Sequence, residues 1–592
     1  MARSRIDLVV GIDFGMTYTG VAFSNTRMPL PKVIQGWPGK PGEIHNKVPS
    51  TISYVPTAEF FVTDWGFLCR PAGGRKEWFK PYLDPGRLEL IASMGQRQTG
   101  SQDLPAFSEA RRWFKDYMAC LYRHISTTIQ STSGRWGAKR IEFVFSLPCT
   151  FNKLSIPRDI RDLVVEAGFE GGGAQHKVEI GLTEPEAAAV YTLKDTAIPY
   201  EVGEIVLVCD AGGGTTDLAI LEIVGHQNGR LELKELTIVE GQNVGSTSID
   251  IAFVKMVEER LKFVHPKLDE QTAWSMMHSA EYIAWKCNFG KPDSLGLGLF
   301  AVTVPRVGTD FNNGRARIKD GKMRFSPMDF RNLFDPEVEK IITLIDRQID
   351  LLEAEYEDKD INYIVLSGGL GSSAYLRTRL QSAFESTESH PSLQILVAEE
   401  PQLAVVKGLV IDRIQKLRSG RAVLNSRICR ASYAILWEPP YDPKKHKGQE
   451  VYKKFDGVVY VKDQLEWMIK GEAIDPGKPR ELAVKWDFTA DEIRKRSLSI
   501  YMSYNDPANL PTYAAHADAQ YVCQINNDLS QLAPDSFESR KGLWENGLKV
   551  KNGQYYRATC TIKVIVGAAD LKFEMWSNGV LYGEEVLTVE WQ

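Results

Sequence analysis

This chain has no obvious framework for a structural metal or for disulfides. Its eight cysteines (69, 120, 149, 209, 287, 429, 523 and 560) are scattered without a C-x-x-C pair, and its nine histidines show no H-x-x-x-H spacing. Structural zinc and a disulfide scaffold are therefore not expected. A surplus of one charge is also missing. Lys and Arg number 71, Asp and Glu 76, and the net charge is −5. That balance gives no electrostatic case for nucleic acid or an anionic membrane. The local basic cluster Lys444, Lys445, His446, Lys447 reads as a solvated loop. Long apolar runs are absent too. The first one, Leu8 to Ile12, is short, flanked by Asp7 and Asp13, and followed by no cleavage site. No membrane span is expected, and a reducing compartment, cytosol or nucleus, is the default.

What remains is ordinary globular material, 43% hydrophobic and 25% charged over 592 residues. That length suits two to four domains, or one large two-lobed unit with an appendix. One short pattern occurs twice. In "IDLVVGIDFGMTYTGVAFSN" (6–25) an apolar run ends at Asp13, turns through Gly15-Met16-Thr17-Tyr18 and re-enters an apolar run. In "VCDAGGGTTDLAIL" (208–221) a run ends at Asp210, turns through Gly212-Gly213-Gly214-Thr215, and a second run follows. Glycine contributes no packing and costs conformational entropy, so three in a row imply either a tight hairpin or a close backbone approach to something. Two copies so far apart suggest a duplicated two-lobed fold, with a period too long for a solenoid.

The spacing predicts helices over 110–125, 158–169, 248–264, 272–290 and 335–357, and a buried strand over 141–148. Asp320-Gly321 marks a hairpin, and "INYIVLSGGLGSSAYLRTRL" (361–380) reads as strand, glycine turn and helix. This alternation is an α/β pattern. Near residue 420 it gives way to short alternating runs, with a hairpin at Asn578-Gly579 and one short helical candidate at Ala490–Lys495. The expected organisation is residues 1–418 as an α/β unit and 419–592 as a β-rich domain.

A triphosphate–magnesium site needs backbone N–H groups in a concave turn, carboxylates for the metal's waters and hydroxyls for phosphate oxygens. Asp13 and Asp210, one at each strand end, suit a water-bridged metal. Gly15 to Tyr18 and Gly212 to Thr215 suit phosphates. Ser367-Gly368-Gly369-Leu370-Gly371 offers bare backbone to a flat nucleoside.

Four segments in this order, "GIDFGMTYTGVAF", "LTEPEAAAVYTL", "VCDAGGGTTDLAI" and "IVLSGGLGSSAYL", resemble the nucleotide-binding domain of the seventy-kilodalton heat-shock chaperones. "SLPCTFN" and "MDFRNLFDPEVEKI" resemble further segments of that family, and the likeness covers roughly residues 6–415. The resemblance implies a two-lobed actin-like ATPase with duplicated ribonuclease-H-like lobes, ATP or ADP and Mg2+ as ligands, and protein clients or co-chaperones as partners. It implies that Asp13 and Asp210 orient magnesium waters and that Asp13 or Thr215 positions the attacking water. Glu184 takes the inter-lobe carboxylate position, with a helix-start carboxylate as the alternative. Gly245 and Ser246 match the second-lobe glycine turn. Gly368, Gly369 and Leu370 match the adenosine loop, and Lys286 the lysine that flanks it, with a solvated helix lysine as the alternative.

The departures are specific. Met16 stands where the family carries a hydroxyl, Thr216 where it carries an aromatic, and Gln402 where it carries an acid. The family's catalytic lysine has no clean match. Lys80, in "EWFKPYLDP", is the candidate by order along the chain, against a plain helix lysine. A consecutive-leucine linker and an acidic tail are missing. Three readings follow: a chaperone-like protein with slow Mg-dependent ATP hydrolysis, a nucleotide-locked scaffold without turnover, and a small-molecule kinase of the same superfamily.

Overall fold

A computed structural model describes residues 6–591 except 28–29, 56–57, 71–73, 94–103, 135, 152–154, 173–174, 195–199, 228–229, 266–267, 269–270, 292–299, 386, 389–390, 430, 471–472, 476–477, 491, 493, 533–535, 543, 546–547, 550–552, 567–570 and 583–586. Asn152, the last residue of the "SLPCTFN" segment, lies outside the described residues. The chain divides into two compact units, Met1–Leu424 and Asn425–Gln592.

The first unit is mixed α/β and contains two sheets built on one plan. Strand β1 (Leu8–Phe14) pairs antiparallel with β2 (Tyr18–Asn25) and parallel with β3 (Ile141–Leu147), which pairs parallel with β4 (His176–Thr183). In the second sheet β5 (Ile205–Ala211) pairs antiparallel with β6 (Thr216–Gln227), and β6 with β7 (Arg230–Glu235). On its other side β5 runs parallel to β8 (Tyr363–Ser367), and β8 to β9 (Gln394–Val397). Every residue of β1, β3 and β5 is buried, which explains why they read as unbroken apolar runs. The duplicated pattern is exact in register. Asp13 lies opposite Gly20 and Asp210 opposite Asp217, each one pair before the hairpin turn.

The main helices are α1 (Phe107–Ser133), α2 (Ser155–Glu166), α3 (Glu184–Lys194), α4 (Ser246–Leu261), α5 (Gln271–Met277), α6 (Ala280–Asn288), α7 (Pro327–Glu355), α8 (Ala374–Phe384) and α9 (Ala404–Ser419); Pro85–Ser93 before α1 and the single turn Gly368–Gly371 before α8 are helical too. α3 and α9 share one apolar core with both sheets: Val9 and Val144 from the first, Val206 and Val208 from the second. Their crossing is tight because Gly408 lies on the backbone of Ala187, where a Cβ would overlap the carbonyl oxygen. α9 also lies close on β1, since a Cβ on Gly11 would come within 2.8 Å of the Val406 carbonyl.

Two expected helices differ. The 272–290 run is two helices, α5 and α6, because Ser279 adopts an extended conformation and its hydroxyl caps Tyr282 N. The 335–357 helix starts earlier, at Pro327, where Ser326 and Asp329 form a capping box. Pro336 lies inside α7. The Asp320-Gly321 turn is present, with φ of 54° and 71°.

The second unit is built of antiparallel strands, and among its described residues there is no α-helix. One sheet runs Gln464–Ile469, Ser432–Trp437, Lys495–Ser503, Gln520–Asp528, Leu587–Trp591. Another runs Arg480–Phe488, Gln554–Val566, Leu571–Ser577, Val580–Tyr582. The expected helix at 490–495 is not formed at its end, where Lys495 opens a strand; Asp491 and Ile493 lie outside the described residues. Asn578-Gly579 makes the expected hairpin turn. Among the described residues no helix is long and apolar enough to cross a membrane.

Candidate functional site

The two acid-bearing hairpins bring their turns together. In the first, Gly15 N donates to Tyr18 O at 3.1 Å, and a Cβ on Gly15 would stand 2.5 Å from that oxygen, so the turn requires glycine. The Ser50 hydroxyl donates to Gly15 O at 2.8 Å and fixes the loop from outside. In the second, Gly212 N donates to Thr215 O at 2.9 Å. The first turn of α4 grips this loop: Ser246 N donates to Gly212 O at 3.2 Å and Thr247 N to Gly213 O at 2.8 Å. Gly245 has no room for a side chain, because a Cβ would stand 2.5 Å from Gly213 O and 2.8 Å from Gly214 N.

The tips then meet. A Cβ on Gly213 would approach Thr17 Oγ1 to 2.7 Å, and one on Gly214 would overlap Met16 Sδ. Met16 is 8% exposed and belongs to the core of the second sheet, with the Thr247 hydroxyl 3.9 Å from its sulfur. The side chain that departs from the family pattern therefore crosses to the opposite turn. Thr215 is half-buried, while Thr216 is fully buried and donates to Val244 O at 2.8 Å. Tyr18, at the outer end of the first turn, is exposed.

Around the turns lie four buried carboxylates and two lysines. Asp13 Oδ2 accepts from Lys47 Nζ at 2.6 Å, and its Oδ1 from Ser146 Oγ at 3.4 Å. Asp210 Oδ1 accepts from Ser367 Oγ at 2.8 Å. Burial, with Asp13 and Asp217 nearby, pushes Asp210 up to about 7, against the lowering by Ser367 and Lys47. Asp217 Oδ1 accepts from Cys149 N at 3.0 Å. Glu184 opens α3 and accepts from Lys80 Nζ at 2.5 Å; the two are 6% and 9% exposed. Burial pushes Glu184 up to about 8, with Asp13, Asp217 and Asp210 adding to the rise and Lys80 opposing it. Burial works against the Lys80 ammonium, but Glu184 and Asp13 outweigh it and its pKa is raised.

Lys80 is thus no solvated helix lysine: it sits in a short 3-10 turn, Lys80–Leu83, inside the acid cluster. Lys286 lies apart from that cluster, with both oxygens of Asp250 at 2.7 Å and Ser246 O at 3.2 Å. Gly368, at φ +84°, presses on Ala211 and Asp210, and Gly369 has open space where a Cβ would be. Leu370 is buried.

Sequence reasoning missed Lys47, the hydroxyl bonds of Ser146 to Asp13 and of Ser367 to Asp210, and the placement of Asp217. Asp217 was visible as the second acid of the glycine run. Lys47 follows no motif. It precedes the short strand Val48–Pro49, which pairs with β2, and its stem crosses Gly20, where a Cβ would stand 3.2 Å from Lys47 Cε. Among the described residues no group of three or more His, Cys, Asp and Glu side chains is placed to bind a metal directly.

A family profile described as a domain of unknown function (DUF8568) matches residues 427–592. Heat shock 70 kDa protein 12A of Mus musculus is 23% identical over 582 aligned residues, covering 81% of this chain and 80% of that protein. Heat shock 70 kDa protein 12B of Homo sapiens is 22% identical over 561, covering 79% and 77%. Heat shock protein SSC3, mitochondrial, of Saccharomyces cerevisiae is 24% identical over 426, covering 69% and 59%.

Proposed function

The chain being a divergent heat-shock-70-like protein, we propose that its first unit is a two-lobed actin-like domain that binds ATP and hydrolyses it slowly. The observation that carries this reading is the doubled strand–acid–turn element, whose two copies face each other with Asp13, Asp210, Glu184 and Lys80 around them. The second turn fits a phosphate, being backbone held by the start of α4, and Gly369 leaves open space for a nucleoside.

The backbone of Gly213 to Thr215 and of Met16 to Tyr18 faces the phosphates, Gly15 and Gly212 close the two turns with their own N–H groups, and Gly245 and Ser246 keep the second turn in shape. Gly368, Gly369 and Leu370 line the nucleoside, with Lys286 at its edge. Asp13 and Asp210, one carboxylate at each strand end, suit a hydrated divalent ion. Such an ion supplies charge for the phosphate oxygens. Lys80 offers its ammonium to the transferred phosphate, and Glu184 holds that ammonium in place. Asp13 or Thr215 orients the attacking water. Hydrolysis here rests on positioning and electrostatics, so small displacements change the rate steeply. Nucleotide state then biases what the β-rich second unit presents to protein clients or co-chaperones.

A scaffold without turnover is favoured by one observation, that the Met16 thioether, in place of the family's hydroxyl, lies against Gly214 and Thr247. A single-turnover assay with the protein in excess over radiolabelled ATP separates the two. Decay of bound ATP supports the ATPase, and bound but undecayed ATP supports the scaffold.

A further inference from the structure

The buried core beneath the second sheet is drawn from Ile205 to Ile395, with two exceptions from the first half of the unit, Met16 and Trp78. Met16 belongs to the site already described. Trp78 does not, and it is unusual in two ways. It is 4% exposed, and its φ is +57°, a left-handed backbone that a bulky L-residue adopts only when its surroundings impose it.

The surroundings are specific. The Trp78 ring lies against Trp274 of α5, with centroids 5.8 Å apart. The preceding residue, Glu77, is anchored to the same region: Oε1 pairs with His278 Nε2 at 3.1 Å, just past α5, and Oε2 with Arg75 at 2.7 Å. The two following residues go to the other half. Phe79 packs on Phe14, Trp113 and Tyr117, and Lys80 bonds Glu184 at the start of α3. Four consecutive residues therefore join the region around α5 to the Lys80–Glu184 pair. The strained residue sits at the crossing.

We propose that Trp78 is a positioning residue for Lys80, so that seating of the indole against Trp274 sets whether the ammonium stays on Glu184. Its bearing on catalysis rests on the nucleotide reading above; the coupling of Trp78 to Lys80 does not. Movement of α5 away from the first half withdraws Trp78, and a chain of two peptide units transmits that to Lys80. Seating is favoured by burying a large aromatic surface and opposed by the left-handed backbone, which makes the segment able to switch.

The test is amine footprinting of the full-length protein with an N-hydroxysuccinimide acetate reagent, read by peptide mass spectrometry with and without ATP. Lys286, paired with Asp250, is the internal control for the fold in the ATP-free samples. Trp78→Ala is expected to raise acetylation of Lys80 at least about tenfold while Lys286 keeps its protection, and Trp78→Phe to restore most of the protection of Lys80. Trp274→Ala, which removes the other half of the contact, is expected to act like Trp78→Ala. Lys80 remaining protected in both alanine variants overturns the proposal. So does parallel exposure of Lys80 and Lys286 in both, which would mark the pair as purely structural. If ATP changes no lysine in the wild type while Trp78→Ala still exposes Lys80 alone, the coupling stands and the nucleotide reading falls.

Discussion

Replacing Glu184 by glutamine probes the site through stability and turnover at once. The carboxyl is buried beside Asp13, Asp217 and Asp210, and its pKa is pushed from an ordinary 4.5 up to about 8. A group whose pKa is higher in the folded than in the unfolded chain binds more protons when folded between those two values. Stability therefore falls as pH rises from about 4.5 to about 8. The whole shift corresponds to roughly 3–5 kcal/mol of pH-dependent stability at about 1.4 kcal/mol per unit. Glutamine keeps the shape and an acceptor for Lys80 but cannot ionise, so this contribution should disappear. Melting temperature measured at intervals from pH 5 to pH 8.5 should decline more steeply in wild type than in Glu184→Gln, with wild type losing ground to the variant toward the alkaline end. Parallel curves would refute the reasoning, because Glu184 would then titrate alike in both states. Above about pH 8, where the carboxyl is ionised, the same variant should bind ATP within about threefold of wild type and lose at least about tenfold in single-turnover rate, as expected if the pair acts on the transferred phosphate rather than on binding.

Asp210→Asn should weaken the dependence of ATP binding on magnesium more than ATP binding in EDTA, measured by titration under both conditions; equal changes would make Asp210 structural. Gly408→Ala should be destabilising by about 2–4 kcal/mol in denaturant unfolding, because the added methyl overlaps the Ala187 carbonyl and forces α9 off α3. A loss under about 0.5 kcal/mol would mean that the crossing yields easily.

The parts of the fold legible in sequence were those coded locally. β1 and β5 announce themselves as apolar runs stopped by an aspartate, and their glycines mark turns with no space for a Cβ. The hairpins at Asp320-Gly321 and Asn578-Gly579 were readable because both turn residues adopt positive φ. Helix ends were less legible: the break at Ser279 and the start at Ser326 depend on caps that the apolar periodicity of 272–290 and 335–357 overrides. The charge pairs of the site were the least legible. Lys47 reaches Asp13 through pairing of Val48–Pro49 with β2, and Lys80 reaches Glu184 across 104 residues. No local pattern encodes either contact. In the second unit the strands are visible by alternation, but Leu587–Trp591 closes beside Gln520–Asp528, a partner set by tertiary structure alone.

The central claim, that ATP is held by the second glycine turn, is tested most directly by calorimetric titration of ATP in magnesium into wild type and Gly213→Val. A side chain at 213 has to displace Thr17, whose Oγ1 would lie 2.7 Å from the new Cβ. The account predicts saturable binding to wild type and a loss of at least about tenfold, or about 1.4 kcal/mol, in a variant that still unfolds cooperatively. Equal ATP affinity in the two proteins, or no binding to wild type, would contradict it.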